Sequence, residues 1–283
     1  MRRRAYLVGI NDYAPAGPGG PDLNGCLADV KDMAETLGAL GFAHDAVRIS
    51  TDRQATRESI LKSLAWLVAD AGKGDSLVFY YSGHGSQIVD VEGDEAADHK
   101  DEILCPHDID FRRKIYIRDD DLKTVIKTLA AGANLEVILD CCYSGTGTRD
   151  PGKGDDAAVR KARIRYLAPP PDLALPVGSK PGLPIKRLFK KSPAAKDAVL
   201  VKGLSHTLWA ACRDDQTSEE TEIEGRIRGV FSYHFCKELR RTKGALKRKE
   251  LDRTVSGALR RGGFSQVPQL EASEPELFEK PFV

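Results

Sequence analysis

No stretch of this 283-residue chain approaches the roughly 20 apolar residues of a membrane-spanning helix. Net charge is also nearly absent. Forty-three Lys+Arg stand against 42 Asp+Glu, for +1, so the overall field gives no reason to expect nucleic acid or a membrane surface as partner. Cysteine is sparse and scattered, at 26, 105, 141, 142, 212 and 236. The adjacent 141/142 pair makes a poor disulfide framework, and a reducing, intracellular setting with free thiols fits best. Other signatures are missing too. A phosphatase loop needs Cys, five residues, then Arg, whereas Arg149 is seventh after Cys142. Gly17, Gly19 and Gly20 are interrupted by proline and misplaced for a dinucleotide-binding turn. No paired Cys/His spacing suggests zinc, and no internal repeat is present.

What is present is ordinary for a globular protein: 41% hydrophobic and 30% charged residues. The start, Met1-Arg2-Arg3-Arg4, is basic like a signal peptide. Its apolar run, Ala5–Ile10, is only six residues long and ends at Asn11-Asp12, which reads as a first buried strand. The pattern then alternates. Strands are expected at 4–10, Leu77–Tyr81, Leu135–Leu139 and Ser205–Cys212. Helices are expected at 22–40, 55–70, 119–131, 229–241 and 247–261. Such alternation implies an α/β fold, a mostly parallel sheet covered by helices on both faces.

Residues 151–202 break the rhythm. They hold eight of the 15 prolines and twelve Lys/Arg against four Asp/Glu. The expectation is an exposed, largely unstructured basic linker. It divides the chain into 1–150, 151–202 and 203–283.

Sites in parallel α/β sheets form at the carboxyl ends of strands. Two strands here end in chemically loaded turns, Ser82-Gly83-His84-Gly85 and Asp140-Cys141-Cys142. Imidazole beside a thiol favours the thiolate and can protonate a leaving amine. The pair His84 and Cys142 is therefore the candidate catalytic dyad, with the N–H groups of Gly85 and Cys142 as candidate oxyanion donors. Asp140 lies two residues before Cys142 on a strand end, so both side chains point the same way. A carboxylate there is costly unless a cation meets it. A substrate Arg or Lys would be that cation.

Tyr81-Ser82-Gly83-His84-Gly85-Ser86-Gln87 and Asp140-Cys141-Cys142-Tyr143-Ser144-Gly145 resemble the histidine and cysteine motifs of metacaspases, caspase-like peptidases that cut after Arg or Lys. Leu23–Asp29, Asp214–Ser218 and Phe264–Leu270 extend the likeness, which covers about 4–150 and 204–272. The resemblance implies a caspase-like three-layer sandwich completed by both flanks of the linker. It selects Cys142 over Cys141 and adds Cys26, Asp29 and Ser82 to the Asp140 pocket. Tyr143 replaces the family's usual His, with little expected consequence. The resemblance also implies calcium activation, with Asp101, Asp119 and Asp120 matching the ligands and Asp150 a fourth at a spacing one residue too long. It further implies a monomeric, cytoplasmic enzyme acting in cell death, stress or defence. Self-cleavage in the linker is expected, because an enzyme cutting after basic residues holds Arg160, Lys161, Arg163, Arg165, Lys186, Arg187, Lys190 and Lys191 at high effective concentration. The alternative is a caspase-fold scaffold acting by protein interaction. Scaffold versions tend to lose the Cys or the His, and this chain keeps both.

Overall fold

The computed structural model describes residues 1–13, 22–89, 100–143, 162–170, 173, 206–213 and 216–282. Its centre is a six-stranded sheet. The strands are β1 (Arg3–Gly9), β2 (Val47–Thr51), β3 (Ser76–Ser82), β7 (Asn134–Asp140), β9 (Thr207–Ala210) and β12 (Gln269–Glu271), in the order β12-β9-β7-β3-β1-β2. All pairs are parallel except β12–β9. Every residue of β3 is buried, which explains its continuous apolar run rather than an alternating one.

Strand alternation sorts side chains onto two faces. Tyr6 and Val8 of β1 join one core with Ile60, Leu64 and Leu67 of α2 (Arg57–Val68) and Leu122 and Ile126 of α3 (Asp119–Ile126). Ala5 and Leu7 join the other with α1 (Cys26–Ala39), α4 (Val230–Thr242) and α5 (Arg248–Arg261). The three-layer sandwich expected from the sequence is therefore present. The α3 helix is shorter than the expected 119–131, closing through Thr128 N to Val125 O and Leu129 N to Ile126 O.

Two small sheets were not foreseen. One contains β4 (Gly85–Val89), β5 (Lys100–Leu104) and β6 (Ile117–Arg118). The other contains β8 (Arg163–Ile164), β10 (Glu219–Ile223) and β11 (Arg226–Gly229). The β8 strand corrects the expectation of an exposed linker. Ala162, Arg165, Leu167 and Pro169 are all buried, because they fill a cleft that the rest of the chain lines.

Two pieces of the chain on either side of the linker share one core. Trp209 of β9 packs with Phe235 of α4 at a ring-centroid distance of 5.1 Å. Its Nε1 donates to buried Glu136 of β7 at 2.6 Å, and Arg248 Nε of α5 donates to the same carboxylate at 2.9 Å.

Candidate active site

The parallel register of β3 and β7 pairs Ser82 with Asp140. Two residues beyond each lie His84 and Cys142, both fully buried, so both expected residues leave the same sheet edge from neighbouring strands. The His84 backbone is fixed on both sides. Its N–H donates to Tyr13 Oη at 2.6 Å, and its carbonyl accepts from Tyr81 Oη at 2.7 Å and Cys105 N at 3.0 Å. The imidazole rests on the Tyr13 ring, centroids 4.8 Å apart. Cys142 Sγ accepts from Ser218 N at 2.7 Å and donates to Ser218 O at 3.2 Å. Cys212 Sγ donates to the Gln216 carbonyl at 3.6 Å and the Cys141 carbonyl at 3.8 Å, and the neighbouring Cys142 thiol, followed by burial, raises the Cys212 thiol well above its ordinary range. Neighbouring Cys141 is likewise held up, by burial first. A Cβ on Gly85 would stand 2.2 Å from the Cys142 carbonyl oxygen, so the approach of the two loops requires glycine at that position.

Beneath the two loops is a pocket of carboxylates, and Arg165 fills it. Its guanidinium is wholly buried. Nη2 lies 2.6 Å from Asp29 Oδ2 and 3.5 Å from Glu220 Oε2, and Nη1 lies 3.0 Å from Asp140 Oδ2. Nη1 also donates to Ser82 Oγ at 2.8 Å, and Ser82 Oγ donates to Asp29 at 2.9 Å. The acids are themselves oriented. Asp29 accepts from Gly229 N at 2.9 Å. Asp140 accepts from Ser218 Oγ and Ser232 Oγ, each at 2.6 Å. Glu220 accepts from Asn24 N at 2.8 Å and Gly25 N at 3.0 Å. A Cβ on Gly229 would meet Asp140 Oδ2 at 2.3 Å and Arg165 Nη1 at 2.7 Å, so glycine there leaves the guanidinium its space.

Burial pushes Asp29 up to about 6, against the opposing pull of Arg165. Burial also weighs against the charge of Arg165, but Asp140, Cys26, Asp29 and Glu220 together hold it protonated. Burial likewise lifts the Cys26 thiol above its usual range, with Arg165, Glu220 and Asp29 as its charged neighbours.

The backbone around Arg165 is held as an extended strand. Ile164 and Arg163 pair antiparallel with Glu219 and Glu220 of β10, and Arg165 N donates to Ser218 O at 3.1 Å. The Arg165 carbonyl oxygen accepts from both Gly85 N and Cys142 N, each at 3.1 Å. Beyond it, Leu167 N donates to Gly85 O at 3.0 Å. A single carbonyl thus lies under two N–H donors, one of them the backbone N–H of Cys142 itself.

The structure therefore brings together Cys26, Asp29, Ser82, His84, Gly85, Asp140 and Cys142. Sequence reasoning missed Glu220, which sits in the strand Glu219-Glu220-Thr221-Glu222-Ile223, polar enough to read as a solvated edge. It also counted Arg165 as one linker cation among several.

The acids proposed for metal lie elsewhere, on β5 and the first turn of α3. Lys123 Nζ sits 2.6 Å from Asp119 and 3.1 Å from Asp120, and Arg118 Nη1 is 4.0 Å from Asp101. Burial raises the Asp119 carboxyl, while Lys123 lowers it. The oxygen donors suit calcium chemically. Among the described residues, however, no three acids converge as a ligand set, and Lys123 and Arg118 already stand against these carboxylates. Asp150 lies outside the described residues. So do the acidic stretch Asp90–Asp98, Ser144, Gly145, Asp214, Asp215 and the linker cations Arg160, Lys161, Lys186, Arg187, Lys190 and Lys191.

Residues 3–150 match the family model for the metacaspase peptidase C14 domain. The chain belongs to the metacaspase family. Metacaspase-1A of Aspergillus niger is 30% identical over 97% of this chain and 71% of its own length. Metacaspase-1 of Ajellomyces capsulatus is 31% identical over 97% of this chain and 80% of its own. Among solved structures, a Geobacter sulfurreducens protein superposes with a TM-score of 0.68 at 25% identity, covering 100% of this chain and 99% of its own. Caspase-1 of Spodoptera frugiperda gives 0.55 at 13% identity, covering 96% and 86%, a likeness of fold. This metacaspase is a cysteine peptidase with proteins as its substrates. No helix among its described residues is long and apolar enough to cross a membrane.

Proposed function

We propose that the enzyme is an endopeptidase that cleaves after basic residues, Arg above Lys, through Cys142 and His84. The observation that carries this is the Arg165 guanidinium in a pocket of three carboxylates whose rim is the Cys142 loop. A planar guanidinium can reach Asp29, Asp140 and Glu220 with two separate nitrogens. A lysine ammonium is one point charge and cannot span them in that way. Cys142 acts as nucleophile and His84 as the acid that protonates the leaving amine. The N–H groups of Gly85 and Cys142 stabilise the oxyanion.

Self-processing belongs to the same reading, because basic residues of the linker are tethered to the site. A scaffold role is disfavoured by the intact dyad and by the occupied pocket. Calcium activation stays part of the proposal, with Asp101, Asp119 and Asp120 as ligands from this chain. A bound ion there would replace Lys123 as the positive partner of the α3 acids. The resemblance to metacaspases is also the ground for a monomeric, cytoplasmic enzyme of cell death, stress or defence.

The test is a panel of reporter peptides with Arg, Lys or Asp before the scissile bond, run with and without calcium. Hydrolysis in the order Arg, Lys, then no detectable Asp is expected. A preference for Asp would refute the pocket assignment.

A further inference from the structure

The segment Ala162–Leu167 lies extended across the site with its arginine in the acidic pocket, as a bound substrate would, and it belongs to the chain itself. We propose that Arg165–Tyr166 is the bond this enzyme cuts first, and that the uncut segment excludes other substrates from the site. The proposal rests on the peptidase reading above and adds to it the identity of the bond and the regulation that follows.

Four observations converge on that one bond. The side chain before it fills the acidic pocket. The carbonyl it would break at is the one bound by Gly85 N and Cys142 N. The residues preceding it pair with β10, as an extended substrate would. The residues following it are also seated. Tyr166 bridges to Gly85 in parallel register, and Leu167 joins the hydrophobic core. Arg163, two residues earlier, is exposed, and its guanidinium donates to the Asp22 carbonyl at 2.7 Å. The described residues thus contain two linker arginines, and one alone is in cutting position.

The chemistry balances with water as the one co-reactant. The Cys142 thiolate adds to the Arg165 carbonyl carbon. The bond from that carbon to Tyr166 N breaks, and the nitrogen takes a proton from His84. Water then hydrolyses the thioester, leaving Arg165 with a terminal carboxylate, Tyr166 with a terminal ammonium that has taken the second proton, and Cys142 with its thiol. Before the cut, the guanidinium is covalently tethered in the pocket and a free substrate must displace it. After the cut, the stretch from Ala162 to Arg165 is a product strand that can leave.

The experiment follows purified full-length enzyme by intact mass and N-terminal sequencing while an Arg reporter peptide is present. A new N-terminus at Tyr166 is expected, appearing at a first-order rate that does not change over a tenfold range of protein concentration. Reporter hydrolysis should rise at least tenfold in step with it. Arg165→Lys should still be cut at the same bond, more slowly, and Arg165→Gln should not be cut there. Cys142→Ala should stay whole. A chain that hydrolyses the reporter at full rate while residues 165 and 166 remain joined overturns this proposal and leaves the peptidase reading standing. First cutting at another linker residue does the same. Failure to hydrolyse both reporter and chain overturns both.

Discussion

Replacing Asp29 by Asn keeps the shape of the pocket and removes one charge at the point closest to the guanidinium. The Asp29–Arg165 contact is 2.6 Å, with both side chains buried. Removing one partner of a buried pair costs about 3–5 kcal/mol. Two features place this site at the low end. Asp140 and Glu220 remain to balance the cation, and burial already pushes Asp29 up to about 6, so its charge is not held at full strength. A loss of about 3 kcal/mol corresponds to roughly a hundredfold drop in kcat/KM for an Arg substrate. The assay compares reporters with Arg, Lys and Gln before the scissile bond on wild type and Asp29→Asn. The Arg reporter should fall about a hundredfold and the poor Gln reporter should barely change. Equal losses on Arg and Gln reporters would mean that Asp29 supports the loop rather than the cation, and the pocket reasoning would fail.

Asp140→Asn should lower Arg hydrolysis more than Lys hydrolysis, because Asp140 meets Nη1 while Asp29 and Glu220 both meet Nη2; equal losses would sink the Arg-over-Lys assignment. The pH dependence has a defined sign. Asp29 is raised by burial, so its proton favours the fold at low pH and that contribution fades as pH climbs towards 6. Binding of an Arg substrate needs the carboxylate, so kcat/KM on Arg should fall as pH drops through about 6, and Asp29→Asn should lack that step. Glu136→Gln should destabilise the fold by about 3 kcal/mol, since buried Arg248 loses its charged partner, and a thermal melt indistinguishable from wild type would contradict that role. A strong calcium chelator should abolish reporter hydrolysis and Asp119→Asn should mimic it; unchanged activity in both would reject calcium as activator.

The sheet edge was legible because β3 and β7 are buried on both faces, and their mostly apolar runs show where each ends. That places His84 and Cys142 on the same sheet edge. Asp140 was legible for the same reason, as the last residue of β7. Glu220 and Arg165 were not. Charged residues are almost never fully buried unless paired, and the carboxylates that pair with Arg165 lie 25, 55 and 136 residues away in the chain. No local pattern signals such a pairing. The proline-rich, basic composition around Arg165 argued for solvent exposure, whereas Ala162, Arg165 and Leu167 are buried. The β10–β11 hairpin went unseen because its buried Glu220 and Thr221 are polar where apolar residues would be the usual sign of burial.

The position of β9 between β7 and β12 governs how processing must be looked for. Strands from both sides of Arg165 are hydrogen-bonded in one sheet, and Trp209, Glu136 and Arg248 tie them through the core. A nick at the linker would therefore release no fragment. The two polypeptides would travel together through size-exclusion and native mass spectrometry as one particle of unchanged size, and would separate only in denaturant. A sample judged intact by its elution volume could already be fully cut.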